Sequence, residues 1–432
     1  MSEKELPDLP KTLMAQRMTG SAVRKIMDEM TIFERKLNEE TLDRGEIIRL
    51  YKLGGGNPRL HPDSLEIIRK NFRAVVDSKE FEDLLRYGST KGQAFYLETA
   101  RKYYEKVLNR DLSEKNIIVT PSSQMAFFYL SNGIQGKIAI FTPEYVGYNS
   151  ANFMSEFVSI QKEPIPDGNH EFHYQLDLKS FESVLEADSS VNRVFLSNPT
   201  NPSCEVQPPE VVRNILKISK GKAAVFLDTP YRGTIYEGEY ELFFEGNSGI
   251  VDSKSKVGFA GLRHADVIAP EKIIDMIKEM QGGACLSPPN DSQFVLARMM
   301  NNGDLDRVYD IQREFYRQRV ELAKTRFKKE CNVDNARMHR TMGTFFLWFY
   351  WQDLTSYGYD CNRLHKELMY DDKIVEVPGQ PSFYGTTANK ADMKHPLETT
   401  RYSLSDLPDC ESIEECMTKV ALKINSINGI KK

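Results

Sequence analysis

Short apolar runs bounded by turn residues recur through the middle of the chain, and they constrain its fold more than any other feature. Ile117 to Thr120, Lys137 to Phe141, Arg193 to Leu196, Ala223 to Leu227, Gly249 to Val251 and Val267 to Ala269 have the length and apolarity of buried strands. Between several of them lie segments with helical periodicity: Tyr96 to Val107, Gln124 to Gly133 and Pro209 to Ile218. Strands and helices that alternate in this way build a sheet covered on both faces. The expected fold class is α/β.

Pro288-Pro289 interrupts this pattern. A long charged helix is expected over Gln293 to Lys329, followed by strands at Thr344 to Trp351, Ile374 to Val377 and Arg401 to Leu404 with helices around them. That is the pattern of a second, smaller α+β domain. Met1 to Lys52 is mostly polar and helical and leads into Leu53-Gly54-Gly55-Gly56-Asn57-Pro58, whose glycines permit a sharp turn and close approach of backbone to a ligand. A length of 432 residues suits one large and one smaller domain.

Composition removes several classes of function. A net charge of -5, with no cluster of Lys and Arg, argues against a nucleic-acid surface. Neither a signal-peptide core nor an apolar run of membrane-spanning length is present, so a cytoplasmic address is expected. The six cysteines are scattered without short-spaced ligand pairs, which predicts reduced thiols and no metal site.

The densest chemical signal is Ser253-Lys254-Ser255-Lys256-Val257-Gly258-Phe259-Ala260-Gly261-Leu262-Arg263, just after a strand. An amine that forms a Schiff base with a phosphorylated aldehyde benefits from hydroxyl and guanidinium neighbours, because the phosphate needs donors and positive charge. Ser253 and Arg263 provide them. Leu227-Asp228-Thr229-Pro230-Tyr231 puts a carboxylate at a strand's carboxyl end, where open α/β sheets bind ligands. Asp228 reads either as a loop cap or as the partner of a pyridine nitrogen, with Tyr231 in reach of a ring hydroxyl. Asn198-Pro199-Thr200-Asn201-Pro202 is a turn that also offers the Asn201 amide. Thr120-Pro121-Ser122-Ser123-Gln124 is a strand-to-helix junction, where Ser123 reads as helix cap and as anion donor alike. Tyr145 reads as core packing or as a stacking face, and Arg401, at a strand start, as a surface arginine or a carboxylate fork.

In this order the segments resemble the pyridoxal 5'-phosphate (PLP) enzymes of fold type I, class I/II aminotransferases, from about Leu53 to Leu404. The resemblance implies a large domain over 58–325, with a mostly parallel seven-stranded sheet flanked by helices, and a smaller α+β domain from 1–57 and 326–432. It implies Lys256 as Schiff-base lysine, Asp228 on the pyridine nitrogen, Asn201 and Tyr231 on the ring hydroxyl, and Tyr145 stacked on the ring. Ser123, Gln124, Ser253 and Arg263 would hold the phosphate. Arg401 would take the substrate carboxylate, with Gly56 closing over it. Tyr87 would reach the neighbouring subunit's phosphate, so a homodimer with shared active sites is implied.

The chain departs from the family pattern at three places. Ser203-Cys204 stands where Thr-Gly is usual, Asp266 where an apolar strand residue is common, and Ser122 where glycine is frequent. Between His264 and Ala297 there is no arginine to meet a side-chain carboxylate, which favours a neutral amino acid such as valine or alanine over aspartate, with a 2-oxo acid such as pyruvate as acceptor. A PLP-dependent β-lyase or biosynthetic enzyme on the same scaffold is the alternative, and a catalytically silent PLP-binding module a third.

Overall fold

Each apolar run of the middle region is a strand, and all of them belong to one sheet. The computed structural model describes residues 22–44, 49–168, 170–389 and 392–429. Its larger sheet has eight strands, ordered Thr386–Thr387, Phe157–Gln161, Lys137–Thr142, Val191–Ser197, Ala224–Asp228, Ser248–Ser253, Ala265–Ile268 and Ile117–Thr120. Neighbours are parallel except Ala265–Ile268, which is antiparallel to both of its partners. The expected seven strands are joined by an eighth, two residues long, from far down the chain. Every residue of Ile117–Thr120 and Ser248–Ser253 is buried, as strands covered by helices on both faces require. The helix Ala94–Leu108 contributes one such covering face, with Tyr96, Leu97, Ala100 and Tyr104 buried at helical spacing.

A second sheet has six strands, ordered Val377–Pro378, Thr399–Ser403, Phe346–Trp351, Ala336–His339, Glu171–Gln175 and Glu163–Pro166. The alternate residues Leu347, Phe349 and Trp351 pack with Val320 and Phe327 of the helix Asp304–Glu330 and with Ile413 and Val420 of the helix Cys410–Gly429. Two exchanges tie the sheets together. The hairpin Glu163–Gln175 leaves the middle of the chain to join the second sheet, while Thr386–Thr387 crosses back to the first.

Several boundaries differ from the sequence reading. The long helix expected over Gln293 to Lys329 is two, Asn290–Asn302 and Asp304–Glu330, because Gly303 between them takes the left-handed conformation (φ +76°). Ile374 to Val377 splits into Ile374–Val375, parallel to Tyr51–Lys52, and Val377–Pro378, antiparallel to Thr400–Arg401. Thr344 is left-handed (φ +73°) and lies outside the strand, which starts at Phe346. Arg401 does not open its strand; it is the third of five buried residues. The helix Ala22–Arg44 seats Met30 against Met369 and Val375, which brings its early turns beside the glycine segment. Among the described residues no helix is long and apolar enough to cross a membrane.

Candidate active site

Parallel strands in the order found here all point their carboxyl ends to one edge, and at that edge lies a cavity of about 530 Å³. It is lined by Ser123 and Gln124, by Tyr145, by Asn201, by Asp228 and Tyr231, by Ser253, Lys256 and Arg263, and by Gly56 and Arg401. Every residue singled out from the sequence is there except Tyr87, which is 90% exposed and lies outside this chain's own cavity.

Lys256 enters from the loop after Ser248–Ser253 and donates from Nζ to the Gly56 carbonyl, 2.8 Å away. A Cβ on Gly56 would stand 3.1 Å from Nζ, so the bare glycine leaves the amine its place. Burial, with Arg401 and Arg263 adding like charge, lowers the Lys256 pKa to about 8. Asp228 sits buried at the end of Ala224–Asp228, where Tyr148 donates its hydroxyl to Oδ2 at 2.9 Å. Burial raises its pKa to about 8 against that hydrogen bond.

Arg401 reaches the same space. Nη1 donates to Asn201 Oδ1 at 3.0 Å and Nη2 to the Gly54 carbonyl at 2.9 Å, with the guanidinium 4.3 Å above the Phe346 ring. It is 6% exposed and forms no ion pair with any described residue, an arrangement that is costly unless an anion arrives. Burial lowers its pKa accordingly.

The helix Ser123–Asn132 points its amino terminus at the cavity. Ser122, not Ser123, is its cap, accepting from the Met125 N–H at 3.1 Å. That leaves the first-turn N–H groups of Ser123 and Gln124 without helical acceptors, which suits an anion. The Gln124 amide is otherwise engaged: Nε2 donates to the Gly147 carbonyl at 2.7 Å and Oε1 accepts the Tyr145 hydroxyl at 3.1 Å. Its side chain therefore positions Tyr145, while its backbone N–H and the second N–H of Nε2 are left for a phosphate. A Cβ on Gly147 would lie 2.3 Å from the Tyr145 ring, so glycine is required under that aromatic face.

Behind the cavity wall lies a sealed charge network. Lys254, fully buried, donates from Nζ to Asp252 Oδ2 and Asp266 Oδ2, each at 2.9 Å, and to the Tyr104 hydroxyl at 2.6 Å. Arg232 pairs with Asp252 at 2.8 Å, and Asp266 also receives Tyr96 at 2.8 Å beside His264 at 3.0 Å. Burial works against Lys254 bearing a charge, yet the two carboxylates outweigh it and hold its pKa above the ordinary lysine value. Asp266, the charge that looked out of place in an apolar strand, is thus the counter-ion of Lys254.

The family model for aminotransferase class I and II matches residues 49–391. The chain belongs to that family. Valine–pyruvate aminotransferase of Escherichia coli (strain K12) is 27% identical over 375 residues, covering 82% of this chain and 86% of the relative. Among solved structures, an amino-acid aminotransferase from Psychrobacter arcticum 273-4, itself described as putative, superposes with a TM-score of 0.85 at 21% identity, covering 96% of this chain and 98% of that one. Valine-pyruvate aminotransferase from Salmonella typhimurium LT2 superposes with a TM-score of 0.78 at 26% identity, covering 90% and 98%.

As a class I and II aminotransferase the enzyme uses PLP, and the cavity fits that cofactor. Asp228 Oδ1 and the Tyr231 hydroxyl are buried, face the cavity and have no hydrogen-bond partner among the described residues. An acceptor and a donor left open in this way match a protonated pyridine nitrogen and a ring oxygen. Asn201 spends Oδ1 on Arg401, leaving Nδ2 without a bond to any described residue. Cys204 itself takes the left-handed conformation (φ +65°) that glycine would favour, its Sγ held by the Thr344 hydroxyl at 3.0 Å.

The sequence reading missed three residues of this aminotransferase site. Tyr148 holds Asp228; it was visible in Pro143-Glu144-Tyr145-Val146-Gly147-Tyr148 but carried no local sign of its partner. Phe346 lies under Arg401 and reads from sequence as plain core. Arg24, from the helix Ala22–Arg44, also lines the cavity, and nothing near it in sequence connects it to the site.

Proposed function

We propose that the enzyme moves the amino group of a neutral L-amino acid of the valine or alanine type to a 2-oxo acid such as pyruvate, in a ping-pong cycle centred on Lys256. One observation carries this reading: a buried guanidinium with no carboxylate partner, Arg401, and an amine near neutrality, Lys256, face the same cavity with the apolar Met27 and Phe346 beside them. The similarity to valine–pyruvate aminotransferase supports it.

Bound PLP supplies the aldehyde that receives the amino group and the ring that takes up the electron pair when the Cα–H bond breaks. Arg401 grips the substrate α-carboxylate in bidentate fashion, and the Phe346 ring beneath covers one face of its planar fork. Lys256, with its pKa near 8, would hold PLP as its Schiff-base lysine and would serve as the base that takes up the proton at the substrate Cα. Asp228 keeps a proton on the ring nitrogen, held in line by Tyr148. Tyr231 and Asn201 donate to the ring oxygen. Ser253, Arg263 and the first-turn N–H groups of Ser123 and Gln124 anchor the phosphate. Tyr87, exposed here, serves the phosphate of a second subunit in a homodimer.

The test is the absorption spectrum of the purified enzyme on adding L-valine, L-alanine or L-aspartate in turn. Bleaching of the long-wavelength band by a neutral amino acid and its return with pyruvate is the expected result. Release of ammonia without that return would replace this reading with a β-lyase, and a band that no amino acid moves would replace it with a silent PLP-binding protein.

A further inference from the structure

A buried carboxylate at the cofactor end of the cavity takes no part in the steps above. Glu144 is fully buried, one layer behind Tyr145 and Ser197, both of which line the cavity. Its Oε1 accepts the Tyr145 N–H at 2.7 Å and the Ser197 hydroxyl, and its Oε2 accepts the Ser197 N–H at 3.2 Å. The Tyr145 peptide is gripped on its other side as well, where the Tyr384 hydroxyl donates to the Tyr145 carbonyl at 2.9 Å. Ser197 ends its strand and is the root of the turn that carries Asn201. The Thr200 hydroxyl donates to the Ser197 carbonyl at 3.0 Å, and the Asn201 N–H reaches the Ser197 hydroxyl at 3.4 Å. One carboxylate thus ties the backbone that carries the Tyr145 ring to the root of the Asn201 turn.

The groups that Glu144 bonds are all donors, so the position calls for a side chain that only accepts. Burial opposes the charge of such a group and raises the Glu144 pKa to about 7, against the Lys162 ammonium and the donors of Ser197 and Tyr145. Lys162 is itself paired with Glu205 at 3.2 Å, and Asp228, Tyr148 and Tyr384 also feel the Glu144 charge, which is one of those that push Asp228 up. We propose that Glu144 is a positioning residue that, as the carboxylate, sets the Tyr145 face against the Asn201 amide, so that the cofactor ring meets its stacking partner and its donor already in register. In the acid form one oxygen carries a proton with no acceptor among these groups, and a donor loses its place. This rests on the assignment of Tyr145 and Asn201 to the ring and holds whichever amino acid is the donor.

The experiment compares the full-length wild type with Glu144→Gln, which keeps the size of the side chain but turns one acceptor into a donor, and with Ser197→Ala, which cuts the hydroxyl link alone. Two properties are measured: the visible circular dichroism of bound PLP, which reports the setting of the ring, and the dissociation constant for pyridoxamine 5'-phosphate, the amine form of the cofactor, which binds without a bond to Lys256. At pH 8, Glu144→Gln is expected to weaken that binding about tenfold, the scale of a lost hydrogen bond to a charged group, and to shrink the dichroic band per bound PLP. Ser197→Ala should do both to a lesser degree. From pH 8 to pH 6 the wild type should lose affinity more steeply than Glu144→Gln, since Asp228 and Lys256 titrate in both proteins and Glu144 in only one. Binding and dichroism unchanged in Glu144→Gln, or pH curves that run parallel, overturn the proposal. Should Glu144→Gln not fold, the same two properties unchanged in Ser197→Ala overturn it. Asn201→Ala tests the underlying assignment: undiminished binding there removes Asn201 from the ring, whereas loss there without loss in Glu144→Gln sinks the role of Glu144 alone.

Discussion

Lys254 and Lys256 stand two residues apart on one loop and meet opposite surroundings. Lys254 has two carboxylates and a phenol around its ammonium, every bond is made, and its pKa is held above the ordinary value. Lys256 has one backbone carbonyl, two like charges nearby and a pKa of about 8. The same contrast holds for the aspartates: Asp252 and Asp266 are compensated, whereas Asp228 keeps an oxygen open and is pushed up to about 8. The network behind the wall is charge-balanced and finished; the cavity is left incomplete by several groups. Chemistry belongs where the protein has withheld the partner.

Breaking the open side gives the largest effect. Lys256→Ala should lower kcat by about 10³-fold or more, the scale of a lost acid–base group, with no loss of folding stability. Single-turnover spectra with L-alanine, together with urea unfolding, check both halves. Retention of more than a tenth of the wild-type rate would move the proton-transfer role elsewhere.

Breaking the closed side affects stability first. Lys254→Met strips Asp266 of its cation and should cost about 3–5 kcal/mol in denaturant unfolding. The double variant Lys254→Met/Asp266→Leu removes the orphaned charge too and should regain more than half of that loss. Equal losses in both would mean that packing, not pairing, holds the loop.

The comparison sharpens further with pH. The Asp228 pKa is raised in the folded protein, so its penalty is absent below about pH 4, grows as pH rises towards 8 and is constant above that. In cofactor-free enzyme Asp228→Asn should therefore leave stability unchanged at pH 4 and raise it by a few kcal/mol at most at pH 8. Chemical denaturation at the two pH values reads the difference. A gain that is the same at both would show that Asp228 is not strained by its own charge.

Much of this was legible in the chain because the site is written at strand ends. An apolar run that stops at Asp228, or at Ser253 with a lysine three residues on, advertises both its strand and its exit, and the rest follows from the order of parallel strands. The break at Gly303 was also there to be read in Asn301-Asn302-Gly303-Asp304. The remainder lay beyond local signals. Thr386–Thr387 and Glu163–Pro166 are short, exposed or proline-bearing, and are strands only because a partner edge waits for them. Arg24 and Arg401 share a cavity across most of the chain's length through packing alone. Asp266 stands where an apolar strand residue is common, and nothing local pairs it with Lys254, twelve residues earlier.

The exchange of strands between the two sheets bears on how the protein comes off the ribosome. The hairpin ending at Gln175 is synthesised about 160 residues before Ala336–His339, the strand it joins, and Phe157–Gln161 waits longer still for Thr386–Thr387. Through that interval the nascent chain carries open β-edges, the surfaces by which unfinished proteins stick to one another. The larger sheet is complete only once Thr387 has emerged and the second only once Ser403 has, so the chain's exposure to aggregation falls during translation, before the enzyme exists.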